Sequence, residues 1–341
     1  MRPFMLSMVT CVAVFCCAAE VLDDTAFIQS LLDRGGEVRL PAREYRISRM
    51  LQLGSDTHLR FDEGASIRLL PGSDCPLAGN RDIASGSRNI SIEGGVWDMD
   101  NLRQSPNPYW RQLCKPPLPK TVFPPKFDPA FYRGNAFYFE NVAGFSVKGI
   151  TIRNPVTYGF QMCRVSDFTV SDITFDYTAC NPIKGNMDGI HLDGGCHHGR
   201  ILNLRGNCWD DSVALNANDG RCAAYQGPIT DILVDGVHAE CGHSAVRMLS
   251  TGAPVERITI RNVSGRFYAY AIGFTHFFGD RPQQGVFSDV TIEHVKVGKG
   301  KVPGDFPWPD ALKAFPVLFY DANIRVDGLK LDDVELWPVG R

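Results

Sequence analysis

The chain has 341 residues, of which 44% are hydrophobic, 21% charged and 11% aromatic. Its net charge of −3 leaves no basic excess to hold a phosphate backbone, which argues against a nucleic-acid partner. The apolar fraction excludes intrinsic disorder, and 33 Gly with 22 Pro favour many turns over long helices.

Residues 1–19 read MRPFMLSMVTCVAVFCCAA. Arg2 supplies a positive start, an apolar run follows, and Cys17-Ala18-Ala19 is a small-residue exit. That is the pattern of a secretory signal peptide. Export to the outside or to the periplasm is therefore expected, with residues 20–341 as one domain. No later apolar run is long enough to span a membrane. Eight of the 11 cysteines lie beyond the signal. An even number in an exported chain permits disulfides, and buried free thiols are the alternative. No Cys-x-x-Cys pair occurs, which leaves a zinc or redox centre without support.

Residues 24–33 (DTAFIQSLLD) are expected to form a short helix that caps the fold. Asp24 is its expected N-cap, and Ala26, Phe27, Ser30 and Leu31 are its expected stripe. In the following GGEVRLPAREYRI, Val38, Leu40, Tyr45 and Ile47 alternate as strand residues do. Beyond residue 85, short β-like pieces recur and end at Gly, Asn or Asp: NISIEGGVWD, FSVKGITIRN, FTVSDITFDY, GRILNLRGNC, ITDILVDGVHAE, VERITIRNVSG, FSDVTIEHVKV and IRVDGLKLDDVEL. The anchors Phe145, Phe168, Ile201, Ile232, Ile258 and Val290 are separated by 23, 33, 31, 26 and 32 residues. Strand-rich repeats of that length predict an all-β solenoid, a single-stranded parallel β-helix of on the order of ten coils. A β-sandwich would need hairpins, whereas one motif here repeats in one direction. Residues 106–129 break the rhythm with eight Pro and several aromatics and read as a long loop beside a groove.

Three acidic positions stand out. Asp188 lies in GNMDGIHLDGG, Asp210 and Asp211 lie in NCWDDSVALNAND, and His243 follows in ECGHSAVRM. Asp188 and Asp210 are 22 residues apart, about one coil. Asp188 precedes Ile190 and Leu192, while Asp211 precedes Val213 and Leu215, so Asp188 and Asp211 are expected at equivalent places on adjacent coils. Coils stack about 4.8 Å apart. His243 precedes Val246 and Met248 and is expected one coil further along. Crowded carboxylates raise the proton affinity of at least one of them. One protonated and one or two ionised carboxylates are what glycoside hydrolysis needs.

The order Asn-x-Asp-Gly, Asp-Asp, Gly-His resembles the polygalacturonases and related enzymes of glycoside hydrolase family 28. The resemblance is specific over residues 186–244, and the first coils also look like those of pectinase-type, pectin-lyase-like β-helices. It implies a right-handed parallel β-helix that hydrolyses pectic galacturonan or rhamnogalacturonan with inversion. It implies that Asp210 is the general acid, that Asp188 and Asp211 activate water, that His243 holds the acid and that Asn186 orients the cluster. This chain departs from the family at Met187 and Ser244, where Thr and Gly are usual. It also lacks the family's Arg-Ile-Lys motif. Arg247 either grips a substrate carboxylate in place of that Lys or is a solvated strand residue. Tyr268, Tyr270, His276 and Phe278 are expected either to form a sugar-stacking wall or to be core stacks.

His191 is expected on the face opposite Ile190 and Leu192. His197 and His198 fall in a Gly-rich turn with no ligand spacing, so no metal and no cofactor are expected. A polysaccharide or oligosaccharide is the expected partner, and a monomer the expected state. A polysaccharide lyase and a non-catalytic glycan-binding β-helix are the competing functions. A lyase would require a carboxylate cage and a basic residue.

Overall fold

The computed structural model describes residues 22–108, 134–218, 225–277, 282–306 and 309–337. The expected signal peptide, most of the Pro-rich segment, Cys114, Cys222 and Phe278 lie outside these residues.

The alternation of apolar residues decides the architecture. Each coil buries every second strand residue, and the next coil repeats the pattern in parallel register. One interior column runs Val38, Leu59, Ile92, Val147, Val170, Ile201, Val234, Ile260, Ile292 and Leu331. It is ten residues deep, one per coil. Nine of the ten are buried, and Leu331, in the last coil, is 50% exposed. Burying such a side chain stabilises by roughly 1.5–3 kcal/mol, so a column of this kind is a main support of the solenoid. The strands form one continuous sheet system. Among the described residues an antiparallel contact occurs at the isolated bridge Asn218–Gln226. The fold is thus an all-β parallel β-helix, without the hairpins of a sandwich.

The turns stack as regularly as the strands. The residue ahead of one strand edge is Gly35, Asp56, Asn89, Gly144, Asp167, His198, Asp231, Arg257, Asp289 or Gly328 in successive coils, and all ten have positive φ. Gly, Asn and Asp tolerate that left-handed conformation best, which explains why the repeats end in those residues.

Several local expectations change. The first helix spans Thr25–Leu32 and buries Thr25, Ile28 and Leu32, while Phe27 is exposed. Its first turn is held by Asp23, whose Oδ1 accepts from the Thr25 backbone N–H at 2.9 Å. Asp24 makes no side-chain cap and instead pairs with Arg43 at 2.7 Å. A second short helix, Pro309–Ala314, is present where only loop was expected. The described cysteines (Cys75, Cys163, Cys180, Cys196, Cys208 and Cys241) are free thiols. Burial pushes the Cys75 thiol up to about 11 and that of Cys196 to about 12.

The repeat anchor also shifts. The residue level with Phe145, Phe168, Ile232, Ile258 and Val290 is Gly199, not Ile201. A Cβ on Gly199 would lie 2.0 Å from the Phe168 ring. The large ring on one coil has taken the space of a side chain on the next. Gly199→Val is therefore expected to destabilise by at least 1–3 kcal/mol through overpacking. Phe168→Leu in the same chain should recover part of that loss. Urea denaturation of the single and double variants checks this, and additive losses would contradict it.

Candidate active site

Parallel register assembles the site. Ile190 pairs with Val213 and Asp211 with Ser244, so Asp188, Asp211 and Ser244 stand level on three successive coils. This matches the expected placement of Asp188 and Asp211. His243 lies one coil further along, as expected. Ser244 occupies the place level with Asp211, and His243 lies beside Asp210, after irregular pairing around Gly242. The close approach of Asp188 and Asp211 depends on Gly189. Its backbone N–H donates to the Asp211 carbonyl at 2.8 Å, and a Cβ there would lie 2.5 Å from the Ser212 carbonyl.

The side chains converge. His243 Nδ1 lies 3.4 Å from Asp210 Oδ1 and 3.7 Å from Asp211 Oδ1. Ser244 Oγ donates to Asp211 Oδ1. The Asn186 backbone N–H donates to Asp210 Oδ2 at 2.8 Å, and its side-chain amide reaches the Tyr158 hydroxyl at 3.3 Å. Arg247 Nε lies 2.8 Å from Asp211 Oδ2. Neither of these two buried atoms makes an aligned hydrogen bond, so their contact is Coulombic. Behind the cluster, His191 Nδ1 lies 2.7 Å from Asp188 Oδ2.

Exposure sorts the carboxylates. The Asp188 and Asp211 side chains are buried, while Asp210 and Arg247 are 16% and 17% exposed at the mouth. Burial, then the nearby Asp210 charge, pushes the Asp188 carboxyl up to about 7, against the opposing pull of His191. Burial and the Asp211 charge likewise raise Asp210, partly offset by His243 and Arg247. Burial acts upward on Asp211 too, but Arg247, His243 and Ser244 override it and hold this carboxyl below its ordinary value. Burial would lower His243, yet Asp210 and Asp211 raise it. Three neighbouring carboxyls thus differ in proton affinity because their partners differ, which is the condition for dividing acid and base work among them.

This has a consequence for stability. Asp188 binds its proton more tightly folded than unfolded, so its contribution is full below about 4 and is lost as the pH rises through about 7. Asp188→Asn should therefore gain stability relative to the parent chain between about pH 4 and 7, with a ceiling of about 4 kcal/mol. Melting temperatures across that range check it, and a parallel pH dependence in both proteins would contradict it.

Asp210, Asp211 and His243 also present three ligand atoms within 4.8 Å of one another. The Arg247 guanidinium already neutralises Asp211, and Ser244 donates to it, so this donor set is engaged without a cation.

The proposed aromatic wall is corrected. Tyr268 and Tyr270 are buried in a separate cluster with Phe306 and Leu312. Phe306 stacks on His243 with ring centroids 5.6 Å apart and lies 5.3 Å from the Tyr268 ring. A segment more than 30 residues downstream thus covers both tyrosines. Lys184 ties that segment down through Asp305 at 2.7 Å and lies over the Trp209 ring at 4.7 Å. His276 stands at the end of Val255–Thr275, bonded to the Gln283 carbonyl and to Asp321. None of these bonds reaches the carboxylates. The expectations missed Ser244, Phe306 and the surroundings of His191. For His191 the available signal was its position three residues after Asp188 on an outward-facing strand position.

Residues 126–264 match the family model described as glycosyl hydrolases family 28, and this stretch holds all of Asp188, Asp210, Asp211, His243 and Arg247. Over those residues the chain is similar to that family. Solved structures agree on the fold. A family 28 exopolygalacturonase from Yersinia enterocolitica is 17% identical, with a TM-score of 0.61 over 94% of this chain and 64% of that one. This chain therefore spans less than two thirds of that relative's length. A polygalacturonase from Erwinia carotovora ssp. carotovora is 16% identical, with a TM-score of 0.56 over 94% of this chain and 93% of that one. An endo-xylogalacturonan hydrolase from Aspergillus tubingensis is 13% identical, with a TM-score of 0.58 over 91% and 89%. A search of curated proteins found no match. Among the described residues no helix is long and apolar enough to cross a membrane.

Proposed function

We propose that this chain is a member of glycosyl hydrolases family 28, an exported, inverting glycoside hydrolase that cleaves a pectic polysaccharide of the galacturonan or rhamnogalacturonan type. One observation carries the mechanism. Asp210 has raised proton affinity at the mouth of the site, beside an Asp211 that is held ionised. Asp210 donates its proton to the departing glycosidic oxygen. Asp188 and Asp211 draw a proton from the attacking water. Inversion needs acid and base far enough apart for that water, about 6.5–9.5 Å. His243, whose proton affinity Asp210 and Asp211 raise against burial, stands beside Asp210 and stabilises it once its proton has left. The positive charge near Asp211 keeps that carboxylate ionised while the acid remains protonated.

Arg247 supports an acidic substrate. Its Nε faces Asp211, and the described residues provide no hydrogen-bond partner for its two terminal nitrogens. A galacturonate carboxylate would receive a charge-assisted pair of bonds there. We read the coil as right-handed, and the helix Thr25–Leu32 as its cap, on the likeness to the polygalacturonases. Export rests on the pattern of residues 1–19.

Incubation with polygalacturonan, rhamnogalacturonan and a neutral glucan tests the reading. Reducing ends should appear from an acidic substrate without an ultraviolet-absorbing unsaturated product. An unsaturated product would make the protein a lyase, and binding without cleavage would make it a glycan-binding module. The acidic limb of kcat/KM should fall above the ordinary carboxylate range, because Asp188 must ionise against burial. A limb near 4 would contradict that assignment.

A further inference from the structure

His191 is fully buried on the outward face of Ile190–Asp193, a costly place for an imidazole unless it has work to do or partners to satisfy it. Every side of the ring is engaged. Nδ1 meets Asp188 Oδ2 at 2.7 Å. Nε2 meets the Asn216 amide at 3.2 Å and Asp193 Oδ1 at 3.3 Å. The Tyr158 ring stacks on its face, with centroids 4.0 Å apart and planes within 14°. Asp193 is in turn fixed by Gln161 Nε2 at 2.9 Å, and Gln161 Oε1 accepts from Asn135 at 3.3 Å. These groups come from successive coils, so the ladder itself locks the ring. The titratable groups facing His191 are Asp188, Asp193, Tyr158 and Cys196, with Asp210, Asp211 and Arg247 acting on Asp188 from the open side.

We propose that His191 is a positioning residue which donates from Nδ1 to Asp188 and thereby keeps this buried carboxylate available as the water-activating base. The inference rests on the assignment of Asp188 to that role. Asp188 has no other side-chain donor among the described residues, and Asp210 repels its ionised form. An Nδ1–H aimed at Asp188 stabilises the ionised state and fixes the second oxygen toward the water. No proton needs to leave His191 during turnover. The Asn216 amide can donate to Nε2, which selects the tautomer carrying its proton on Nδ1. The base is then a His–Asp pair with the histidine on the inner side, away from the substrate.

Two substitutions separate this role from packing. In His191→Asn the amide nitrogen takes the place of Nδ1 and keeps the bond to Asp188. In His191→Gln the amide takes the place of Nε2 and keeps Asp193 and Asn216 but loses Asp188. The expected result is an acidic limb of kcat/KM that moves about one pH unit upward in His191→Gln and stays within about half a unit of the parent in His191→Asn. At a pH well below both limbs, and with each protein scaled to its own plateau, His191→Gln should therefore lose about tenfold more than the parent. Equal limbs in the two variants, or a uniform loss at every pH, would overturn the role. Asp188→Asn is measured alongside. If it retains activity, the base assignment fails and not merely the part given to His191. The unmodified protein supplies an arm that does not depend on folding of the variants. Its His191 ring nitrogens, followed by 15N NMR, should show a protonated Nδ1 on both sides of the limb, and a bare Nδ1 overturns the proposal.

Discussion

Asp210→Asn is expected to lower kcat on a pectic substrate by about 10²–10⁴-fold, with little change in KM. The amide cannot give a proton to the departing oxygen, and the substrate contacts of Arg247 remain. The fold should tolerate the change, because the Asn186 N–H that binds Asp210 Oδ2 at 2.8 Å can donate to an amide oxygen as well. Removing this charge also removes the strongest repulsion on Asp188, so the Asp188 carboxyl should fall from about 7 toward the ordinary range. Steady-state kinetics and carboxyl 13C NMR of the variant read both effects. Near-normal turnover would take the acid role away from Asp210. A leaving group that needs no protonation, such as a substituted phenol, should recover much of the lost rate if such a substrate binds.

Arg247→Leu is expected to produce the second large effect, on stability and catalysis together. Arg247 Nε lies 2.8 Å from the fully buried Asp211 Oδ2. Taking away one partner of a buried ion pair typically costs 3–5 kcal/mol, and here Ser244 and His243 are left to compensate Asp211 in part. Asp211 would respond by rising from its lowered state, which weakens the separation in proton affinity between it and Asp210. The double variant Arg247→Leu with Asp211→Asn should therefore be more stable than Arg247→Leu alone. Chemical denaturation checks the stability, and KM on acidic against neutral substrates checks the binding role. A neutral oligosaccharide should be affected less than an acidic one. Additive stability losses would show that the two groups do not depend on each other.

Much of this site could be read from periodicity. Asp188 and Asp211 each precede a pair of alternating apolar residues, and the register of Ile190 with Val213 places them level as that phase required. His243 lies one coil further along, as expected, and the same phase makes Ser244, two residues before Val246, the one that stands level with Asp211. Ile201 failed as an anchor. A spacing counts residues, whereas the level partner of Phe168 is a glycine that carries no hydrophobic signal. For the tyrosines, the core stack is the alternative the structure shows. Tyr268 and Tyr270 are covered by Phe306 and Leu312, which meet them through a fold-back of the chain and not through the repeat. His191 was placed on the correct face by alternation. Its function was hidden until register brought Gln161 and Asn216 alongside from the neighbouring coils. The helix cap shows the limit at short range. Asp23 and Asp24 are both suitable, and the choice is made by Arg43, which draws Asp24 away.

The central claim is that carboxylates on adjacent coils hydrolyse a pectic glycosidic bond with inversion. The most direct test is 1H NMR of the first products formed from an oligogalacturonide, recorded before mutarotation. A new reducing end of the opposite anomeric configuration to the bond cleaved is expected, and none from Asp210→Asn. A reducing end of retained configuration, or an unsaturated product, would contradict it.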